Sequence, residues 1–84
     1  MREVTLLGRP GCCLCDDARA LLERVRERHA FTLVEVDIER DEQLLAAHLE
    51  RIPVVLIDGV EAFSLFVSEP ELVRLVTEPR TPVE

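Results

Sequence analysis

The chain reads as an α/β domain with element order β-α-β-α-β-β-α, a mixed four-stranded sheet with helices on both faces. Three observations predict it. Short apolar runs alternate with segments of helical period. The first two runs are joined by a helical segment, so their strands should lie parallel with a right-handed crossover. Asp58-Gly59 separates the last two runs and is a strong signal for a tight hairpin, which adds an antiparallel pair.

Residues 3–8 form the first expected strand, ended by Gly8 and the turn chemistry of Pro10-Gly11. Leu14, Ala18, Leu21, Leu22 and Val25 then follow the i, i+4, i+7, i+8, i+11 pattern of one helix face. Asp16 and Asp17 stand near its start, and Arg24, Arg26 and Arg28 near its end, as the helix dipole prefers. The expected helix runs from Cys13 to Arg28. Arg19, Glu23, Arg24 and Glu27 are expected to pair along its solvated face. Residues 31–38, rich in Val, Leu and Ile, read as the second strand. Asp41 can cap a short helix carrying Leu44, Leu45 and Leu49. Residues 54–57 and 60–65 flank the Asp58-Gly59 turn. Pro70 suits the first turn of a last helix over residues 69–76. His29 and His48 fit charge placement at helix ends. The domain is expected to span residues 1–77, and residues 78–84, with Pro79 and Pro82, a flexible tail.

The bulk composition narrows the function. Eighty-four residues make one domain, and 48% hydrophobic residues suffice for a core. Ten basic against seventeen acidic side chains give a net charge of −7. An acidic surface argues against nucleic acid and against anionic lipid as partners. No apolar run is long enough to span a membrane. The N-terminus leads into a strand and does not read as a signal peptide. A cytoplasmic location is therefore expected. All ten basic residues are Arg, and Lys and Tyr are absent.

The chemistry concentrates at Cys12, Cys13 and Cys15. Three cysteines within four positions do not form a spread disulfide framework. Cys12 and Cys15 have Cys-x-x-Cys spacing where a strand turns into a helix. Free N–H groups at a helix start favour an anion, hence a thiolate, the form that attacks disulfides. In an intracellular βαβ context this is a redox motif. Structural cysteines, or an iron–sulfur cluster bridged between two subunits, are the alternatives. A single-chain metal site is not expected, because the three thiols could not all reach one ion in good geometry. Cys13 turns away from Cys15 and reads as a half-exposed bystander. Arg9 is either a solvated loop residue or a carboxylate or phosphate contact. An exposed Phe63 or Phe66 would be a partner-docking candidate.

The element order, the run Gly8-Arg9-Pro10-Gly11-Cys12-Cys13-Leu14-Cys15 and the run Arg51-Ile52-Pro53-Val54 resemble a glutaredoxin of the thioredoxin superfamily. The resemblance covers residues 3–76 and is closest to small bacterial glutaredoxin-like proteins. It implies a thiol-disulfide oxidoreductase with Cys12 as nucleophile and Cys15 as resolving thiol, the two forming a disulfide. It implies a cis bond before Pro53, with the Ile52 backbone pairing to substrate. Arg9, Pro10 and Gly11 join Ile52 and Pro53 as expected substrate contacts. The substrate would be a disulfide-bearing protein or small molecule. No bound cofactor is implied. Electrons would come from glutathione or another thiol reductant, or from a thioredoxin-reductase-type donor, and the protein would be a monomer. The chain departs from the family where glutathione is held. Residues 62–67 carry neither the Gly-Gly pair nor the following Asp, which favours a protein dithiol or general thiol donor. A non-catalytic binding module on the same scaffold is the remaining alternative.

Overall fold

The computed structural model describes residues 2–77, and the expected tail over residues 78–84 lies outside them. Strand β1 (Glu3–Gly8) leads into helix α1 (Cys13–Arg26) and strand β2 (Thr32–Asp37). A short 3-10 helix (Ile38–Arg40) precedes α2 (Glu42–His48). Strands β3 (Val54–Ile57) and β4 (Val60–Ser64) form the hairpin, and α3 (Glu69–Thr77) follows.

The sheet order is β2-β1-β3-β4. β1 runs parallel to β2 and antiparallel to β3, and β3 runs antiparallel to β4. The fold is the expected mixed sheet. Alternation along the strands divides the core into two layers. Val4 and Leu6 of β1, with Val55 and Ile57 of β3, pack on Ala18, Leu22 and Val25 of α1 and Leu72 and Val76 of α3. Leu7 and Val54, partners across β1 and β3, face the other way, toward Ile38 and the half-buried Leu44 and Leu45 of α2. Helices therefore cover both faces.

Local chemistry accounts for most element ends. Asp41 caps α2, its carboxylate accepting from the N–H groups of Gln43 and Leu44 at 2.9 and 3.2 Å. Asp58 and Gly59 have φ of 52° and 84°, the positive values a type I′ turn needs at both centres. The Asp58 carboxylate also receives the Glu3 amide at 3.0 Å and pairs with Arg2 at 2.7 Å, which ties the turn to the start of β1.

Four expectations are corrected. α1 ends at Arg26 rather than Arg28, because the chain turns back there, with the Arg28 and His29 amides both donating to the Val25 carbonyl. β2 ends at Asp37, whose carboxylate caps the 3-10 turn by accepting from the Glu39 amide. Ile38 is fully buried there, outside the strand. β4 ends at Ser64, and Leu65 leaves the sheet at φ 70°. Arg19 pairs not along its helix face toward Glu23 but with Asp16 and with Glu35 of β2, and Arg24 reaches Glu69 of α3.

Candidate functional site

The end of the β1–α1 loop and the first turn of α1 present the three cysteines, all of them free thiols. Gly11 has φ 80°, which suits glycine, and the chain then enters α1 with Cys12 as N-cap. The Cys12 sulfur accepts the Cys15 amide at 3.2 Å, in the place that a Ser or Asp oxygen takes at other helix starts. This is the free N–H of a helix first turn, aimed at a sulfur that is half-exposed. Cys13 is exposed and Cys15 is buried.

Cys15 lies one turn further on, in the second core layer with Leu7, Ile38, Ile52 and Val54, and Cys12 packs against the same cluster. Burial pushes the Cys15 thiol up from the ordinary 9.0 to about 11. A hydrogen bond with Cys12 adds to this, a backbone contact at Arg9 opposes it, and the charges of Cys12 and Asp16 add further. Two thiols three residues apart thus have different surroundings, one facing solvent and one sealed in the core.

Ile52 and Pro53 are both buried, and the bond between them is cis. Ile52 lies in the cluster that holds Cys15, so β3 brings this pair to the cysteine loop. Among the described residues, the main chain of Ile52 makes no hydrogen bond, while those of its neighbours do. The Leu65 amide donates to the Pro53 carbonyl at 2.9 Å and to the Arg51 carbonyl at 3.1 Å, and Arg51 pairs through its side chain with Glu61 of β4. Arg9 and Pro10 are exposed, and an open groove of about 400 Å³ runs past them to Gly8 and Cys15. Arg9 reaches Glu39 only at 4.0 Å. Cys12, Cys15 and Ile52 share one cluster beside Pro53, Arg9 and Pro10 line the groove that reaches Cys15, and Gly11 is exposed in the loop next to them.

The model for the glutaredoxin-like domain (DUF836) matches residues 3–77. The chain belongs to the glutaredoxin-like domain family. Solved structures agree on the fold. A Nitrosomonas europaea protein determined by NMR superposes with a TM-score of 0.80 at 24% identity, covering 90% of this chain and 92% of that one. A Xanthomonas campestris protein superposes at 0.70 with 30% identity, covering 83% and 89%. A variant of Halobacterium salinarum thioredoxin superposes at 0.66 with 17% identity, covering 95% and 78%. The fold is thus thioredoxin-like. Comparison with curated proteins gives no match.

Two residues of the site were not singled out from sequence. Gly8 reads as a strand end, yet a Cβ there would come within 3.0 Å of Cys15 Sγ and 3.2 Å of its Cβ. Only glycine lets Cys15 seat against β1 without a shift. The signal available was a glycine four residues before the motif, which turn chemistry already explained. Leu65 holds φ 70° without being glycine, a conformation costing about 1–2 kcal/mol. Nothing about a leucine at a strand end signals it.

Proposed function

We propose that the protein is a thiol-disulfide oxidoreductase. The observation that carries this is the pairing of a half-exposed Cys12 sulfur, receiving the Cys15 amide, with a buried Cys15 thiol one turn away. Cys12 thiolate attacks a substrate disulfide RS–SR′, forming the Cys12–SR bond and releasing R′S⁻. Cys15 gives up its proton to solvent or to the departing thiolate and attacks the Cys12 sulfur. RS⁻ leaves and a Cys12–Cys15 disulfide remains, so the substrate gains the two electrons that the dithiol loses. Burial suits Cys15 to act second, because a thiol held protonated does not compete for the first attack. The Ile52 main chain beside Pro53, without a hydrogen bond among the described residues, is suited to align an extended substrate, and Arg9, Pro10 and Gly11 of the cysteine loop are the further contacts proposed for it.

The dithiol carries the electrons without a resident cofactor, and a thiol reductant, glutathione or a protein dithiol, restores it. A monomer in the reducing cytoplasm fits three cysteines clustered within four positions. Among the described residues, no helix is long and apolar enough to cross a membrane.

The test is a titration in glutathione redox buffers, read by intact mass after thiol trapping. Wild type should lose two hydrogens reversibly. Cys15→Ser should stop at one mixed disulfide on Cys12, and Cys12→Ser should lose disulfide reduction. Retained reduction in Cys12→Ser would refute the assignment.

A further inference from the structure

Beside the motif, on the flank of α1, lies a groove of about 180 Å³ that the redox step itself does not use. Leu14, Ala18 and Leu21 supply one wall and Leu65 and Phe66 the other, with Asp17 on the rim. Leu14 lies within the Cys-x-x-Cys motif itself, so the groove borders the motif. Phe66 is 72% exposed, Leu65 41% and Leu14 39%, a concentration of apolar surface that a small acidic protein would otherwise cover. Phe63, three residues before Phe66, packs on the core. Phe66 is therefore exposed while Phe63 is half-buried.

Two further observations identify what fits. The groove is smaller than the roughly 300 Å³ at which pockets for whole small molecules begin, so it suits one side chain of a longer chain. Asp17 pairs with no cation among the described residues, whereas Asp16 pairs with Arg19. The rim thus carries an unmatched negative charge in a chain of net charge −7. The conformation of Leu65 points the same way. Its φ of 70° is fixed by the two carbonyls that its amide serves, and a glycine would adopt it more easily. The side chain that is kept at this strained position lies in the groove. Backbone outliers of this kind gather at functional sites.

We infer that this groove selects the substrate: a polypeptide disulfide in which an apolar side chain next to the cysteine enters between Leu14 and Phe66 and a basic side chain meets Asp17. The inference rests on the oxidoreductase reading. An acidic rim disfavours small disulfides that carry carboxylates.

The test uses the Cys13→Ser, Cys15→Ser double variant, in which Cys12 alone reacts. Rates of mixed-disulfide formation are measured with symmetric disulfides of three short peptides, whose cysteine is flanked by Leu and Arg, by Leu and Glu, or by Ser and Arg. Bis(2-hydroxyethyl) disulfide serves as the small comparator. Each rate is divided by that of free N-acetylcysteine with the same disulfide. The Leu-Arg peptide should exceed the Ser-Arg peptide about tenfold, the effect of partly burying one apolar side chain. It should exceed the Leu-Glu peptide about threefold, as one exposed charge pair allows. Phe66→Ala and Leu65→Gly should each abolish the Leu preference. The second removes the side chain while relieving the backbone, so an unfolding midpoint at or above that of the double variant excludes misfolding as the cause. Asp17→Arg should invert the charge preference. Equal normalised rates for the three peptides, or preferences that survive these substitutions, would overturn the inference. So would self-association in sedimentation that Phe66→Ala removes, because a second copy would then occupy the groove. If Cys12 reacts no faster than the free thiol even with bis(2-hydroxyethyl) disulfide, the oxidoreductase reading itself fails.

Discussion

Cys15 sits against a glycine, and a Cβ at residue 8 would crowd its side chain at 3.0 and 3.2 Å. The spacing of the two thiols and the N-terminal position of Cys12 are local facts, and they can be read from the chain. The seat of Cys15 is not local: it depends on Gly8 approaching across the β1–α1 loop and on Ile38, Ile52 and Val54 arriving from other elements. A methyl group at residue 8 meets the side chain of a buried residue with little freedom to move. Gly8→Ala should therefore cost about 1–3 kcal/mol of stability, as overpacking does, read as a lower urea midpoint. Removing the opposing sulfur should restore part of that loss, so Gly8→Ala with Cys15→Ala should be less destabilised than the sum of the single changes. Additive costs would mean that Gly8 serves the turn and not the thiol.

Elements whose ends are fixed by neighbouring residues in the chain lie where their sequences place them. β1 and β3 have the expected bounds because Gly8 and the Pro53 and Asp58-Gly59 positions flank them. The end of β2 was hidden because Ile38 continues an apolar run, although its burial serves the 3-10 turn and the second core layer. The departure of Leu65 was hidden because leucine suits a strand and only the carbonyls of Arg51 and Pro53 demand otherwise. Helix α2 illustrates the legible kind. It has seven residues and none is fully buried, so its capping residue carries an unusual share of its stability. Asp41→Ala should cost about 1 kcal/mol in urea unfolding, while Asp41→Asn or Asp41→Ser should cost much less. An unchanged midpoint in Asp41→Ala would show that Leu44 and Leu45 hold α2 without the cap.

At the scale of the whole molecule, composition makes one buried thiol visible in the response of the fold to pH. The chain contains no Lys and no Tyr, the side chains whose ordinary values lie near pH 10. Of the side chains present, the three cysteines are the ones whose ordinary value lies nearest that range. Of these, Cys15 is the one that burial pushes up, from 9.0 to about 11. In that window the unfolded chain has lost the Cys15 proton while the folded protein retains it. The folded state binds more protons, so stability falls as pH rises. The contribution is fully present below the unfolded value and is gone once pH passes about 11, a loss of about 2–3 kcal/mol. Urea unfolding of the reduced protein from pH 8 to pH 11 should show this decline. Cys15→Ala should show little of it, although it starts from a lower midpoint because it leaves a gap against Gly8. A Cys12–Cys15 disulfide leaves Cys15 no thiol to ionise, so the oxidised protein should also be nearly flat across the window. An equal decline in Cys15→Ala would place the sensitive group elsewhere and would remove the energetic distinction between the two thiols.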